Sequence, residues 1–476
     1  MIARITLSLI LVVALNANTV FAQNTFTWSV NNNIGAWNSP ANWGGLGTPG
    51  AGDTAEFSDF TIIIGSQPVA AAEIDLSSPF PPTQVARNIN FLFGNSTTAF
   101  TIGTSVQTLN LDGGTTSSIS REGSANSTFA ASVNLLGSSR SLSITNSDAT
   151  SNRSLNFSSS LNIGTNALTV NGIGKTDIST LSGSGATSSA TFTGSGDSTL
   201  SSISGISTIN VQGGTRDVGI INGASVLNLS GGSLTLNNLN TTGTNTTSIN
   251  VTGGNHTITS VNRAAVNLSG TGSIASNITV SNNSSLGGAG VIGGNVVVNS
   301  GSILSGTSTI NGNVSIQTGA THSPGNSPGT QTIAGNLTYD AGSTFVWELD
   351  GNSTSNGSFD QILLTDPASS LLVNGSMETR LVFTNADFSD DFWKSNRTWT
   401  VFTGLTNSAA VNNMQIAFVP LAPKPNGDFK WKQSGSNLNL TFSAVPEPGT
   451  LALLGLAAGL AGFAKRRKLK ALVART

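Results

Sequence analysis

The sequence predicts an all-β fold: a right-handed parallel β-helix, a solenoid with aromatic-rich end caps, flanked by an N-terminal signal helix and a short C-terminal transmembrane helix. Three observations carry this. Short alternating runs recur, among them TLNLDGG, ALTVNGIG, VLNLSGGSLTLNNL, SINVTGGNHTITSV and AVNLSG. Each sets two or three β-branched or Leu residues at period two and closes on Asn and Gly, the signature of a strand followed by a turn. A short unit repeats at near-constant spacing. Finally, Trp and Pro are distributed very unevenly.

The repeat is clearest from Asn277. The chain reads NITVSNNSSLGGAGVIGG, then NVVVNSGSILSGTSTING, then NVSIQTGATHSPGNSPGTQTIAG, then NLTYDAGSTFVWEL. Its leading residues Asn277, Asn295, Asn313 and Asn336 are 18, 18 and 23 apart, the last interval being stretched by the SPGNSPG loop. A unit this small cannot bury its own apolar face, so copies must stack. Stacking piles equivalent Val, Ile and Leu into one core and lets turn Asn side chains form hydrogen-bonded ladders.

No Pro occurs from Thr83 to Ser323, as suits an unbroken hydrogen-bonded ladder. Disorder is the competing reading of a Ser/Gly/Asn/Thr-rich body, but disordered chains are enriched in Pro and charge, and both are scarce here. The seven Trp lie at the edges: Trp28, Trp37 and Trp43, then Trp347, Trp393, Trp399 and Trp431. A solenoid leaves an open strand edge at each end that must be covered. Caps are therefore expected at 25–60 and 345–443. A carbohydrate platform built from the same Trp residues is the alternative.

Composition limits the chemistry. Charged residues are only 9% of 476, against roughly a quarter in ordinary domains. The absence of Cys excludes disulfides, thiolate metal sites and a Cys nucleophile. Two histidines, His256 and His322, leave little for metal or acid–base work, and no cofactor or metal is expected; His322, beside SPGNSPG, reads as an exposed loop residue. Of 20 basic and 22 acidic residues, Arg4, the six basic residues from Lys465 onward and Glu447 belong to the ends. The body keeps 13 basic and 21 acidic, a net of −8. Such a surface argues against nucleic acid as a partner.

Both ends read as targeting segments. Arg4, the apolar run Ile5 to Leu15 and Val20-Phe21-Ala22 compose a secretory signal over 1–22. As a membrane anchor this eleven-residue run would be too short. The expected organisation is a signal at 1–22, an N-terminal cap at 23–60, β-helix repeats at 61–366, a C-terminal β cap at 367–443 and a sorting signal at 444–470. In VPEPGTLALLGLAAGLAGFAKRRKLK the flanking prolines hold Glu447 in an extended stretch. Gly449 to Ala464 would make a helix of about 24 Å, short of the roughly 30 Å hydrocarbon core. The basic cluster fixes the tail in the cytoplasm and leaves the body outside.

This stretch closely resembles the PEP-CTERM sorting signal of Gram-negative bacteria. Pro446, Glu447 and Pro448 match the recognition triplet. Leu451, Leu453, Leu454, Leu456, Leu460 and Phe463 fall in the matched membrane segment, and Lys465, Arg466, Arg467 and Lys468 match the basic stop. The resemblance implies a membrane exosortase as partner, a transient place in the inner membrane, and then the cell surface or extracellular matrix, with a link to exopolysaccharide or biofilm. An ordinary C-terminal anchor is the alternative. Two further stretches are similar to bacterial surface β-helix proteins and autotransporter-associated repeats: FTWSVNNNIGAWNSPANWGGLGTPGAGDTAEF, and GATHSPGNSPGTQTIAGNLTYDAGSTFVWELDG with FDQILL. They imply a surface β-helix and no defined reaction.

Other candidate chemistry is thin. Asp390 and Asp391 in FSDDFW read as a polar turn, since neighbours on a strand face opposite ways. GGAGVIGGN is similar to Gly-rich calcium repeats but lacks the ligand Asp. Asp53 in PGAGDT reads as a turn residue. The expected function is a non-enzymatic exported structural protein. The alternative, a polysaccharide-binding or lyase β-helix, needs a groove lined with Asp, Arg or Lys on consecutive coils.

Overall fold

The computed structural model describes residues 24–461 except 28–33, 44, 46, 52, 59–62, 65–66, 69–70, 76–82, 94–98, 113–114, 124–125, 149–152, 242–245, 408–410, 419–423, 446–455 and 457. The expected signal at 1–22 and Trp28 lie outside these residues.

Short parallel strands stack coil upon coil into long sheets of 17, 21 and 6 strands, the pattern of a β-helix. Along the strands side chains alternate inward and outward, as in Thr208–Val211 and Val226–Leu229, where every second residue is buried. In-register pairing makes the inward residues columns. On the 17-stranded face Leu142, Leu168, Ala190, Ile209, Leu227 and Ile249 stack in turn, all buried. The other two faces merge where one long strand, Ser154–Asn162, pairs with both Ser127–Phe129 and Ser132–Leu135. They separate again at Asn255–Ile258 and Ser260–Asn262.

The repeat read from Asn277 forms the six-stranded face, with Ile278, Val296, Val314, Leu337 and Leu371 in one column. The leading Asn residues form the expected ladder. Asn277 Oδ1 accepts from Asn295 N–H, Asn295 from Asn313 and Asn313 from Asn336, each at 2.7 Å. A second ladder runs along the 17-stranded face, where Asn250 donates to Asn228 and Asn228 to Asn210, both at 2.9 Å. Close stacking also dictates glycine. Gly172 has φ +103°, and a Cβ there would fall against the carbonyl oxygen of Asn146 one coil below.

His322 corrects an expectation. It is fully buried on the strand Thr321–Pro324, in register between Leu304 and Phe345. Its Nδ1 lies 2.7 Å from Tyr339 Oη and its Nε2 2.7 Å from Gln331 Oε1, so both ring nitrogens are satisfied inside the core. Burial holds its pKa down to about 4, leaving the ring neutral at pH 7. The Pro/Gly loop that suggested exposure begins only beyond Pro324.

Two arginines also enter the core. Arg121 reaches Asn146 Oδ1 at 2.8 Å and Asp148 Oδ2 at 3.1 Å in a buried ion pair. Arg216 instead donates to the carbonyls of Gly194 and Gly196 at a turn and lies 5.5 Å from the Phe192 ring. Burial lowers its pKa to about 10, so it stays charged at neutral pH.

Aromatic residues gather at the two ends. Trp37 and Trp43 are buried edge to face at 5.0 Å, with Trp43 Nε1 donating to Trp37 O. At the other end the parallel stack gives way to antiparallel strands: Asn437–Ala444 lies between Arg397–Thr403 and Gly427–Ser434. Their inner side chains, Trp399, Phe429, Trp431 and Phe442, pack on one another and on Trp347, Phe345 and Phe402. The segment Asp391–Lys394 is a 3-10 helix, and Asp390 caps it by accepting from Phe392 N–H at 2.7 Å. Asp390 is thus a polar turn residue, as expected, although in a helical turn and not a strand. Asp53 likewise closes its turn, accepting from Gly50 N–H at 3.1 Å and Asn24 N–H at 3.2 Å.

Candidate functional site

The strand Asn437–Ala444 delivers the chain to its C-terminal segment. It is hydrogen-bonded on both sides, to Arg397–Thr403 and to Gly427–Ser434. Ala444 N–H donates to Asn396 Oδ1 and Val445 N–H to Asn426 O, both at 3.1 Å. Pro446 has no N–H with which to continue the ladder. Folded structure therefore reaches to within one residue of the Pro-Glu-Pro triplet, with no intervening linker.

Of the residues matched to the sorting signal, Leu456 and Leu460 are helical and exposed. Pro446, Glu447, Pro448, Leu451, Leu453, Leu454, Phe463, Lys465, Arg466, Arg467 and Lys468 lie outside the described residues. Among the described residues no helix is long and apolar enough to cross a membrane.

A cleft of about 420 Å³ opens on the 17-stranded face, floored by Ser285, Gly287, Ser305 and Ser323 on successive coils and walled by the loop at Gly325–Ser327 and Glu348. Gly287 and Gly288 lie on its lining where the coils stack closely: a Cβ would meet Ser305 Oγ at the first and the Leu268 carbonyl oxygen at the second. Glu348 is the one charged residue on its lining, and both carboxylate oxygens are taken: Oε2 accepts from Ser327 Oγ and Oε1 from Thr384 Oγ1, each at 2.6 Å. Consecutive coils thus supply Ser, Gly and Asn here, not the Asp, Arg or Lys that a lyase groove needs. Among the described residues no three potential metal ligands cluster.

Behind the loop sits Asp360, a residue the sequence did not single out. It is 1% exposed, and its carboxylate accepts from Gly329 N–H and Glu348 N–H, each at 3.0 Å. It pins the SPGNSPG loop to the next coil. Burial is the largest influence on its pKa and pushes it up to about 7; the backbone donors pull the other way, and nearby Glu348 adds to the rise. The folded protein therefore keeps a proton that the unfolded chain releases near pH 4. This stabilisation is full below about pH 4 and is lost as pH rises to about 7, a swing on the order of 4 kcal/mol. Asp360→Asn is expected to abolish that part of the pH dependence. Urea unfolding of both forms between about pH 4 and pH 8 checks it; parallel curves for the two would refute the assignment.

Comparison with known proteins adds one finding on the tail. The PEP-CTERM protein-sorting motif matches residues 444–468. No curated protein matches the chain. The match begins on the last residue of the strand Asn437–Ala444, where the folded body ends. The chain is an all-β solenoid that carries, directly on its closing strand, the PEP-CTERM signal by which exported proteins are handed to an exosortase.

Proposed function

We propose that this protein is a non-enzymatic structural rod of the cell surface or extracellular matrix. It is exported by the segment at 1–22, held briefly in the inner membrane by 449–464, and released to its destination by an exosortase acting at Pro446–Pro448. The observation that carries the reading is the junction at Ala444: a sorting motif joined without a linker to a strand bonded on both sides. The body supports it by being a regular stack whose charged groups are few, and the cleft beside the SPGNSPG loop offers a single, already engaged carboxylate. Association with exopolysaccharide or biofilm belongs to the same proposal.

A second reading, neutral-polysaccharide binding, is favoured by the rows of Thr and Asn on the 17-stranded face, spaced one coil apart.

Deleting residues 445–476 is expected to release soluble protein or divert it, and mass spectrometry of exported wild type should find a C-terminus near Pro446. Surface retention that survives the deletion, or a mature chain that keeps the basic tail, would sink the sorting claim.

A further inference from the structure

Charge is divided sharply along this rod. Residues 23–366 carry 7 basic and 16 acidic side chains, a net of −9, whereas 367–443 carry 6 and 5, a net of +1. Within that end half of the cations are engaged. Arg380 pairs with Glu378 at 3.0 Å and Lys394 with Asp391 at 2.9 Å, while Arg397 donates to Phe392 O and lies over its ring. Lys424, Lys430 and Lys432 are exposed, and among the described residues none is paired with a carboxylate.

Their placement is specific. Lys430 and Lys432 project outward from Gly427–Ser434, alternating with the buried Phe429 and Trp431 that close the core. That strand pairs with the strand that becomes the tail, setting Lys430 beside Thr441 and Lys432 beside Asn439. Lys424 lies just before it, its Nζ 5.3 Å from the Phe418 ring. Asp428 is the one acidic residue on the strand. The apolar segment starts at Gly449, and the four residues from Val445 to Pro448 can span at most about 14 Å. A lysine side chain covers much of that gap, and the Debye length at physiological salt is about 8 Å.

Resting on the reading that the C-terminal segment enters a bilayer, we infer that the C-terminal end of the rod is a lipid-facing platform. Lys424, Lys430 and Lys432 engage anionic phospholipid headgroups of the leaflet outside which the body lies. The acidic remainder is repelled by the same surface, so the rod stands away from the membrane with its tail-bearing end down. That geometry would hold the triplet at headgroup level, where a membrane-embedded enzyme can reach it.

The test uses the full chain reconstituted into vesicles of phosphatidylcholine alone or mixed with phosphatidylglycerol. Lysine acetylation is read by mass spectrometry, with Lys175 on the rod flank as internal reference, and tail insertion is read by protection from added protease. The three lysines are expected to react about fivefold more slowly per site in the anionic vesicles. The effect should vanish at about 1 M salt, where the Debye length is about 3 Å, with Lys175, ion-paired to Asp177 at 2.9 Å, reacting equally in the two kinds of vesicle at each salt concentration. Equal reactivity in both vesicles, with the tail protected, overturns this inference and leaves the sorting reading standing. An unprotected tail in both overturns the membrane reading and this one with it. Slowing that needs co-reconstituted exosortase and ignores lipid charge assigns the surface to that protein and also overturns the inference.

Discussion

Trp399→Ala is expected to cost about 3–5 kcal/mol and to open the C-terminal end of the solenoid. The indole is fully buried, 5.4 Å from Trp347, 6.1 Å from Trp393 and stacked at 6.0 Å on Phe429. Its Nε1 donates to Ser353 O at 2.8 Å, so truncation also orphans a carbonyl. Stacked repeats contact only their neighbours, so the loss should appear as a separate early transition, the middle coils melting as before. The uncovered strand edges should then drive association that grows with protein concentration. Denaturant unfolding with light scattering reads both effects. A single unshifted transition would show that the aromatic cluster does not close this end.

Arg121→Met is expected to cost a similar 3–5 kcal/mol, by a different route. The guanidinium is fully buried between Asn146 and Asp148, and Asp148 is itself only 8% exposed. Removing the cation takes away the Asp148 carboxylate's 3.1 Å ion-pair partner in the core. Adding Asp148→Leu should recover most of the loss, since apolar replacement of a buried pair is often neutral or better. If the double variant is no more stable than the single one, the pair is not what Arg121 contributes.

These residues show where sequence reading succeeds and stops. The Asn277–Asn336 ladder was legible because equal spacing and equal residue type coincide, so register follows from counting. The sorting motif at 444–468 was legible for a similar reason, the order of three local features. His322, Arg121 and Asp360 were not. Each is buried by register: His322 stacks on Leu304 from the previous coil, Arg121 finds Asp148 on the next, and Asp360 meets Gly329 from 31 positions earlier. Single charges in a Ser/Asn background read as scattered surface. Only a fixed coil register shows which of them the core has accepted. The coil lengths in this body vary enough that the register could not be counted across it.

The strand Asn437–Ala444 has a mechanical meaning as well. Tension applied through Val445 acts along this strand and perpendicular to its antiparallel hydrogen bonds. Eight residues paired on one side and five on the other then share the load in shear. Against a pull in line with the strand the tail is held by both sets of pairs at once, more firmly than a closing strand paired on one side alone would hold it.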